Sequence, residues 1–228
     1  MTLFEKESLS PFPSSDINNN CWDFLILWKA PWQKSLENKS YFYDSRNRFR
    51  DLWKVKWLRG DIDLQVKFLS DNWIIIWDRM EQFYCKDNSS SDDKRNAKIY
   101  NDIKWLIDTR KPFWKNNVYP TIILLWTTMK ETMNYGSATY VNFIDDGKKY
   151  FVEHESEGKN KIKNEEMEKK KILNLSTKEK LLIRGCDWEK NFKPFRLVAC
   201  NDTSWGCRKK LDDLLEDWKK SWLECLDL

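Results

Sequence analysis

The sequence predicts an α+β domain with a largely antiparallel sheet, and three observations carry that reading. Short apolar runs rich in β-branched and aromatic residues alternate with turn signals, as strands do. Two stretches, residues 46–58 and 208–226, instead repeat their apolar residues at helical spacing. Hydrophobic residues make up 41% of the 228 residues, with only six Gly and six Pro, so the chain can build a sizeable core. This length suits one domain with appendages.

Taken in order, residues 22–28 (WDFLILW) read as a buried strand, and residues 40–43 as a second. Residues 46–58 place Phe49, Leu52, Trp53, Lys56 and Trp57 on one helical stripe, with Gly60 as the stop. Residues 64–68 and 73–77 are β-rich runs separated by a turn at Ser70, Asp71 and Asn72. The polar stretch 86–98 is predicted to be an exposed loop, and 103–107 a further strand. Residues 116–133 read as a core helix that tolerates Pro120 in its first turn. Residues 138–144 and 149–153 flank an Asp-Asp-Gly turn and predict a hairpin. Between 154 and 180, 14 of 27 residues are charged, which predicts a loop (154–165) and then a solvated helix over about 165–183. Residues 195–200 form a last strand, and Leu211, Leu214, Leu215, Trp218, Trp222 and Leu226 form the stripe of the final helix.

Composition narrows the function classes. Forty basic against 36 acidic residues leave +4, too balanced for a protein held to polyanions by bulk charge. A single histidine, His154, argues against Ser-His-Asp or Cys-His hydrolysis, and no Gly-rich phosphate loop is present. The six cysteines include no C-x-x-C pair, so neither a zinc site nor a cofactor is expected, and the thiols are read as free and mostly buried. No apolar run approaches the ~20 residues of a membrane span, and residues 1–20 read as a disordered arm without a signal-peptide core. A soluble, intracellular protein is expected, and not an enzyme.

Tryptophan is the excess, with 14 copies. Trp32 follows Pro31 at the end of the first strand, and Trp77 ends another strand beside Asp78. Two indoles at strand ends can sandwich a flat ring, and a cationic ring adds ~0.5–2 kcal/mol of cation–π attraction. A neighbouring carboxylate can accept two N–H bonds from the edge of a guanine. The plainer alternative is that these indoles seal the sheet ends.

The order of these pieces resembles the eukaryotic translation initiation factor 4E family, which binds the 7-methylguanosine cap of messenger RNA. Trp32 and Gln33 are similar to its first cap-stacking loop. Arg50, Asp51, Leu52 and Trp53 resemble its first-helix signature, and residues 68–72 leading to Trp77 and Asp78 resemble its second stacking run. Ile103, Lys104 and Trp105 resemble its Arg-Trp strand, residues 119–130 its following helix, and residues 141–149 its Val-Asn hairpin. The likeness runs over about residues 20–153, and more faintly to Asn201.

The resemblance implies a curved sheet backed by about three helices over residues 21–206, with the helix of 207–228 as an addition. It implies that Trp32 and Trp77 sandwich the methylated base, that Asp78 binds its edge, and that Lys104 and Lys149 meet the cap phosphates. Trp53 would contact a helical peptide of a translation scaffold or repressor of the initiation factor 4G type, in the cytoplasm. Ile144 stands where the family has its second phosphate-binding Arg, and Val152 or Glu153 where it has the Trp that lines the methyl group. These departures support an alternative: a scaffold that has lost or weakened cap binding and works as a protein–protein interaction module.

Overall fold

The computed structural model describes residues 4–9, 12, 21–28, 31, 33–41, 61–85, 95–111, 119–126, 143–145, 147–155, 163–172, 175, 180–201 and 210–221. Strand β1 (Phe4–Glu7) is followed by β2 (Phe24–Trp28), helix α1 (Gln33–Glu37), α2 (Ile62–Asp71), β3 (Ile74–Asp78), β4 (Met80–Cys85) and β5 (Arg95–Tyr100). Then come α3 (Ile103–Thr109), β6 (Thr121–Trp126), β7 (Lys149–Glu155), β8 (Lys163–Glu168), α4 (Lys169–Ile172), β9 (Lys180–Cys186), β10 (Phe195–Asn201) and α5 (Leu211–Ser221). The fold is α+β, with one large mixed sheet and a small one.

The large sheet has seven strands in the order β3-β2-β6-β10-β9-β7-β8, and a three-stranded sheet is ordered β1-β4-β5. Among the described residues, five of the eight pairings are antiparallel. The three parallel ones lie together, joining β3 to β2, β2 to β6 and β6 to β10. Parallel strands need cover on both faces, which accounts for their near-continuous apolar runs: FLILW in β2, IIIWD in β3, TIILLW in β6. One face gathers Leu25, Leu27, Ile75, Trp77, Ile122, Leu124 and Leu197 with Ile103, Leu106 and Ile107 of α3. The opposite face gathers Phe24, Ile26, Trp28, Ile74, Ile76, Ile123 and Val198 with Leu69 of α2 and Leu214 and Trp218 of α5. Helices therefore cover both faces of the parallel half.

Several predicted elements change type. Residues 64–68 belong to α2, started by the Asp61 side chain accepting a hydrogen bond from the Leu64 N–H at 3.0 Å. Residues 103–107 open α3, where Asp102 accepts from the Trp105 N–H at 2.8 Å and Ile103, Leu106 and Ile107 share one buried stripe. A five-residue window cannot separate the two periods; the cap decides for helix. Within the predicted helix 116–133, Thr121–Trp126 is instead a central strand, its β-branched residues packed between β2 and β10. The solvated helix expected over 165–183 is replaced by β8, α4 and the start of β9. Strand β8 is an edge, where a charged sequence suits the exposed position. Residues 1–20 are not wholly a disordered arm: β1 pairs with β4, and Phe12 bridges Ile76. Arg95–Tyr100 converts the end of the predicted 86–98 loop into a strand. The helix expected over 46–58 lies outside the described residues, as do residues 42–43 of the strand expected at 40–43 and residues 138–142 of the hairpin arm expected at 138–144; Ser40, Tyr41, Phe143 and Ile144 are described and belong to no strand.

The last helix lies where its stripe predicts, and it is core. Trp218 is completely buried, and its indole N–H donates to the Asn201 carbonyl at 2.9 Å. Removing that indole leaves a cavity beneath β10, so Trp218→Ala should cost about 3–5 kcal/mol of stability in chemical denaturation. An effect below about 1 kcal/mol would mark α5 as an appendage.

Candidate functional site

Side chains alternate across a strand, so Trp77 and Asp78 leave β3 on opposite faces. Trp77 is 7% exposed and packs in the cluster that contains Leu27 and the α3 residues; its buried indole N–H finds no hydrogen-bond partner among the described residues. Asp78 is 0% exposed and points the other way, accepting the Tyr41 hydroxyl. The Asp78 carbonyl accepts from the Asn101 side chain at 2.6 Å. Tyr41 is itself set edge-on against Phe12 and Trp28, with ring centroids 5.5 and 5.4 Å away. The Ser40 hydroxyl donates to Gln65 beside this group. A ligand approaching one face of the sheet meets one of the pair, not both.

Trp32 and Trp53 lie outside the described residues. The neighbours of Trp32 are placed: Pro31 is buried, and Gln33 opens α1, whose Leu36 packs on Met80, Phe83 and Cys85. Trp28 is level with Asp78 in the β2–β3 register, so β2 and β3 end side by side.

Of the two lysines assigned to phosphates, Lys104 reaches the turn of residues 186–189 with its ammonium and Lys149 with its main chain. Lys104, second in α3, reaches Asp108 at 3.0 Å and Glu189 at 3.2 Å. Burial alone would pull its ammonium down, but the hydrogen bonds to Asp108 and Glu189 outweigh it and hold the group above the ordinary lysine value. Lys149 begins β7; its carbonyl accepts from the Asp187 N–H at 3.0 Å, and its ammonium lies 3.4 Å from Glu166. Both lysines thus border the turn of residues 186–189. That turn also carries Trp188, 46% exposed, with the Lys148 ammonium 4.7 Å from its ring centroid. Trp105, beside Lys104, is 47% exposed. Sequence reasoning gives Trp188 and Lys148 no binding role. The available signal is an indole outside any apolar run, flanked by charges in Asp187-Trp188-Glu189-Lys190.

The remaining positions of the resemblance fall in the interior. Ile144 is buried in the main cluster together with Val152. Glu153 is buried and ion-paired to Arg184, whose guanidinium lies 5.7 Å from the Tyr119 ring centroid. Burial pushes the Cys186 thiol up, so the thiol stays protonated and is a poor nucleophile. No group of three His, Cys, Asp or Glu residues suited to a metal occurs among the described residues. No described helix is long and apolar enough to cross a membrane. Comparison with known proteins finds no matching family model, curated protein or solved structure.

Asp78→Ala removes the acceptor of the buried Tyr41 hydroxyl, which should cost about 1–3 kcal/mol in urea unfolding. Adding Tyr41→Phe should then cost less than the two changes summed. A second outcome concerns Tyr150, buried with its hydroxyl accepting from the Asp145 N–H at 2.8 Å. Burial pushes its phenol up to about 12 from 10.0. The unfolded chain therefore loses this proton first as pH rises. Stability from this group is complete below pH ~10 and should fall by about 1.4 kcal/mol per pH unit until pH ~12. Tyr150→Phe should flatten that part of the alkaline stability curve; an unchanged slope would assign it to other groups.

Proposed function

We propose that this chain is a non-enzymatic protein that binds the 5′ end of messenger RNA, as a divergent member of the initiation factor 4E type acting in cytoplasmic translation. The supporting observation is the turn of residues 186–189, which Lys104 reaches with its ammonium and Lys149 with its main chain, beside an exposed indole. Lys104 can meet a phosphate of a nucleotide there once Glu189 yields it, and Lys149 can meet the next once its ammonium leaves Glu166. Exchanging a surface ion pair for a phosphate contact costs little, because such pairs are worth about 0–1 kcal/mol.

Selectivity for the methylated base is a different matter. The burial of Trp77 and Asp78 on opposite faces removes the sandwich-plus-edge arrangement unless the end of β3 opens. Phosphate recognition is therefore expected to outweigh base recognition. The same burial favours a second reading, a scaffold that has given up the cap and holds protein partners through other surfaces.

Titration with 7-methyl-GTP and with GTP, followed by tryptophan fluorescence and by calorimetry, separates these. The two nucleotides should bind within roughly tenfold of each other, a gap under about 1.4 kcal/mol. Both should weaken in Lys104→Gln and Lys149→Gln. Absence of binding by either nucleotide at high micromolar concentration sinks the RNA reading and leaves the scaffold. Tight binding of the methylated form alone, lost in Trp77→Ala and Asp78→Ala, would mean that β3 opens to form the sandwich.

A further inference from the structure

We propose that the corner formed by α3 and residues 186–193 is a stacking platform for single-stranded RNA, with Trp188 and Trp105 facing bases and a fringe of lysines facing phosphates. The inference rests on the RNA reading above and extends it from a nucleotide's phosphates to the strand that follows them.

The first argument is exposure. Most described tryptophans are core: Trp22, Trp28, Trp77 and Trp218 are buried. Trp105 and Trp188 are about half exposed, on elements tied together by the Lys104–Glu189 ion pair. The Lys193 ammonium, donating to the Asp108 carbonyl, adds a second tie between the turn and α3. An indole held on a fixed element offers its face without a large ordering cost, and bases of any sequence can stack on it.

The second argument is unspent charge. Lys104 takes up both Asp108 and Glu189, and Asp102 caps α3. Lys148 lies over Trp188, and Lys193 is held by the Asp108 and Arg110 carbonyls. Lys111 and Lys190 are exposed. Among the described residues, no carboxylate pairs with Lys111, Lys148, Lys190 or Lys193. Four cations therefore remain, with Asp187 as the carboxylate of the turn that no lysine takes up. Lys111 follows α3, Lys148 precedes β7, and Lys190 and Lys193 follow β9, with Lys193 tied to the C-terminal end of α3. Exposed aromatic faces among unneutralised cations match a flexible strand carrying one charge per nucleotide. Rigid duplex RNA keeps its bases stacked inside and cannot use the indoles.

The test is fluorescence anisotropy of the full chain with a short single-stranded RNA of mixed sequence, and with the same RNA annealed to its complement. The single strand should bind more tightly and quench tryptophan emission. Trp188→Ala should weaken it roughly tenfold or more, with partial recovery in Trp188→Phe. The double variant Lys148→Gln/Lys193→Gln should lower the slope of log affinity against log salt by about 0.7 for each phosphate that is no longer neutralised. Equal affinity for strand and duplex, or binding indifferent to Trp188→Ala, overturns the platform. If 7-methyl-GTP still binds in that case, the nucleotide reading stands and the strand extension alone falls. Binding of neither nucleotide nor RNA removes both and assigns the exposed indoles to a protein partner.

Discussion

Four adjacent parallel strands must be covered on both faces, and that requirement decides where most of the chain's apolar residues go. β3, β2, β6 and β10 run side by side, each contributing alternate residues to two separate apolar clusters. Helix α3 closes one side, and α2 and α5 close the other. Each large side chain buried this way contributes about 1.5–3 kcal/mol, so the two clusters carry much of the stabilisation. The same alternation constrains chemistry. Consecutive residues of such a strand cannot serve one ligand, and Trp77 with Asp78 is the instance that matters.

Asp78 shows how the sheet tolerates a carboxylate in its interior. A buried carboxyl group is costly unless it is hydrogen-bonded, and the Tyr41 hydroxyl donates to one of its oxygens. The contact also sits where the chain changes sheets. β3 ends at Asp78 in the large sheet and β4 begins at Met80 in the small one, with Arg79 between them. The Arg79 N–H donates to the Trp28 carbonyl at 2.8 Å, and the Arg79 carbonyl accepts from the Asn101 N–H at 3.0 Å. The Asn101 side chain returns to the Asp78 carbonyl. Tyr41, Asp78 and Asn101 together fix the corner between the sheets. A structural task of this kind explains a carboxylate at the end of an apolar strand without any ligand.

What was legible in the sequence followed the strength of each pattern. The stripe from Leu211 to Trp218 fills two turns, and its helix packs as that stripe requires. The runs at 22–28, 73–77 and 195–200 are apolar enough to be strands in any context. The ambiguous windows were short ones, where a cap or a neighbour outvotes periodicity. Asp61 and Asp102 turned two apparent strands into helices. The position of Thr121–Trp126 between β2 and β10 turned an apparent helix into a central strand. Strand β8 was hidden for the opposite reason: at a sheet edge its charged residues are tolerated, and by composition they resemble a solvated helix. Of the residues assigned to ligand, the pattern could place Trp77 and Asp78 at a strand end. It could not reveal that the strand is covered on both faces, because that depends on where β2, β6 and the helices lie.

Burial of the strand-end indole moves the burden of recognition to the surface. An aromatic side chain contributes to binding only if its face is both accessible and held. Trp77 is held but not accessible, and a lone exposed indole on a loose loop would be the reverse. Trp188 meets both conditions, because its turn is tied to Lys149 through the main chain and to α3 through Glu189. The Lys148 ammonium above its ring is already an intramolecular version of what a ligand would do there, a cation using the negative face of the indole. A base stacking on that face would have to displace Lys148, and the released ammonium would then be free to meet the strand's phosphate. The exchange trades a modest cation–π contact for base stacking plus a charge-assisted hydrogen bond, so its balance tips further toward binding as salt is lowered.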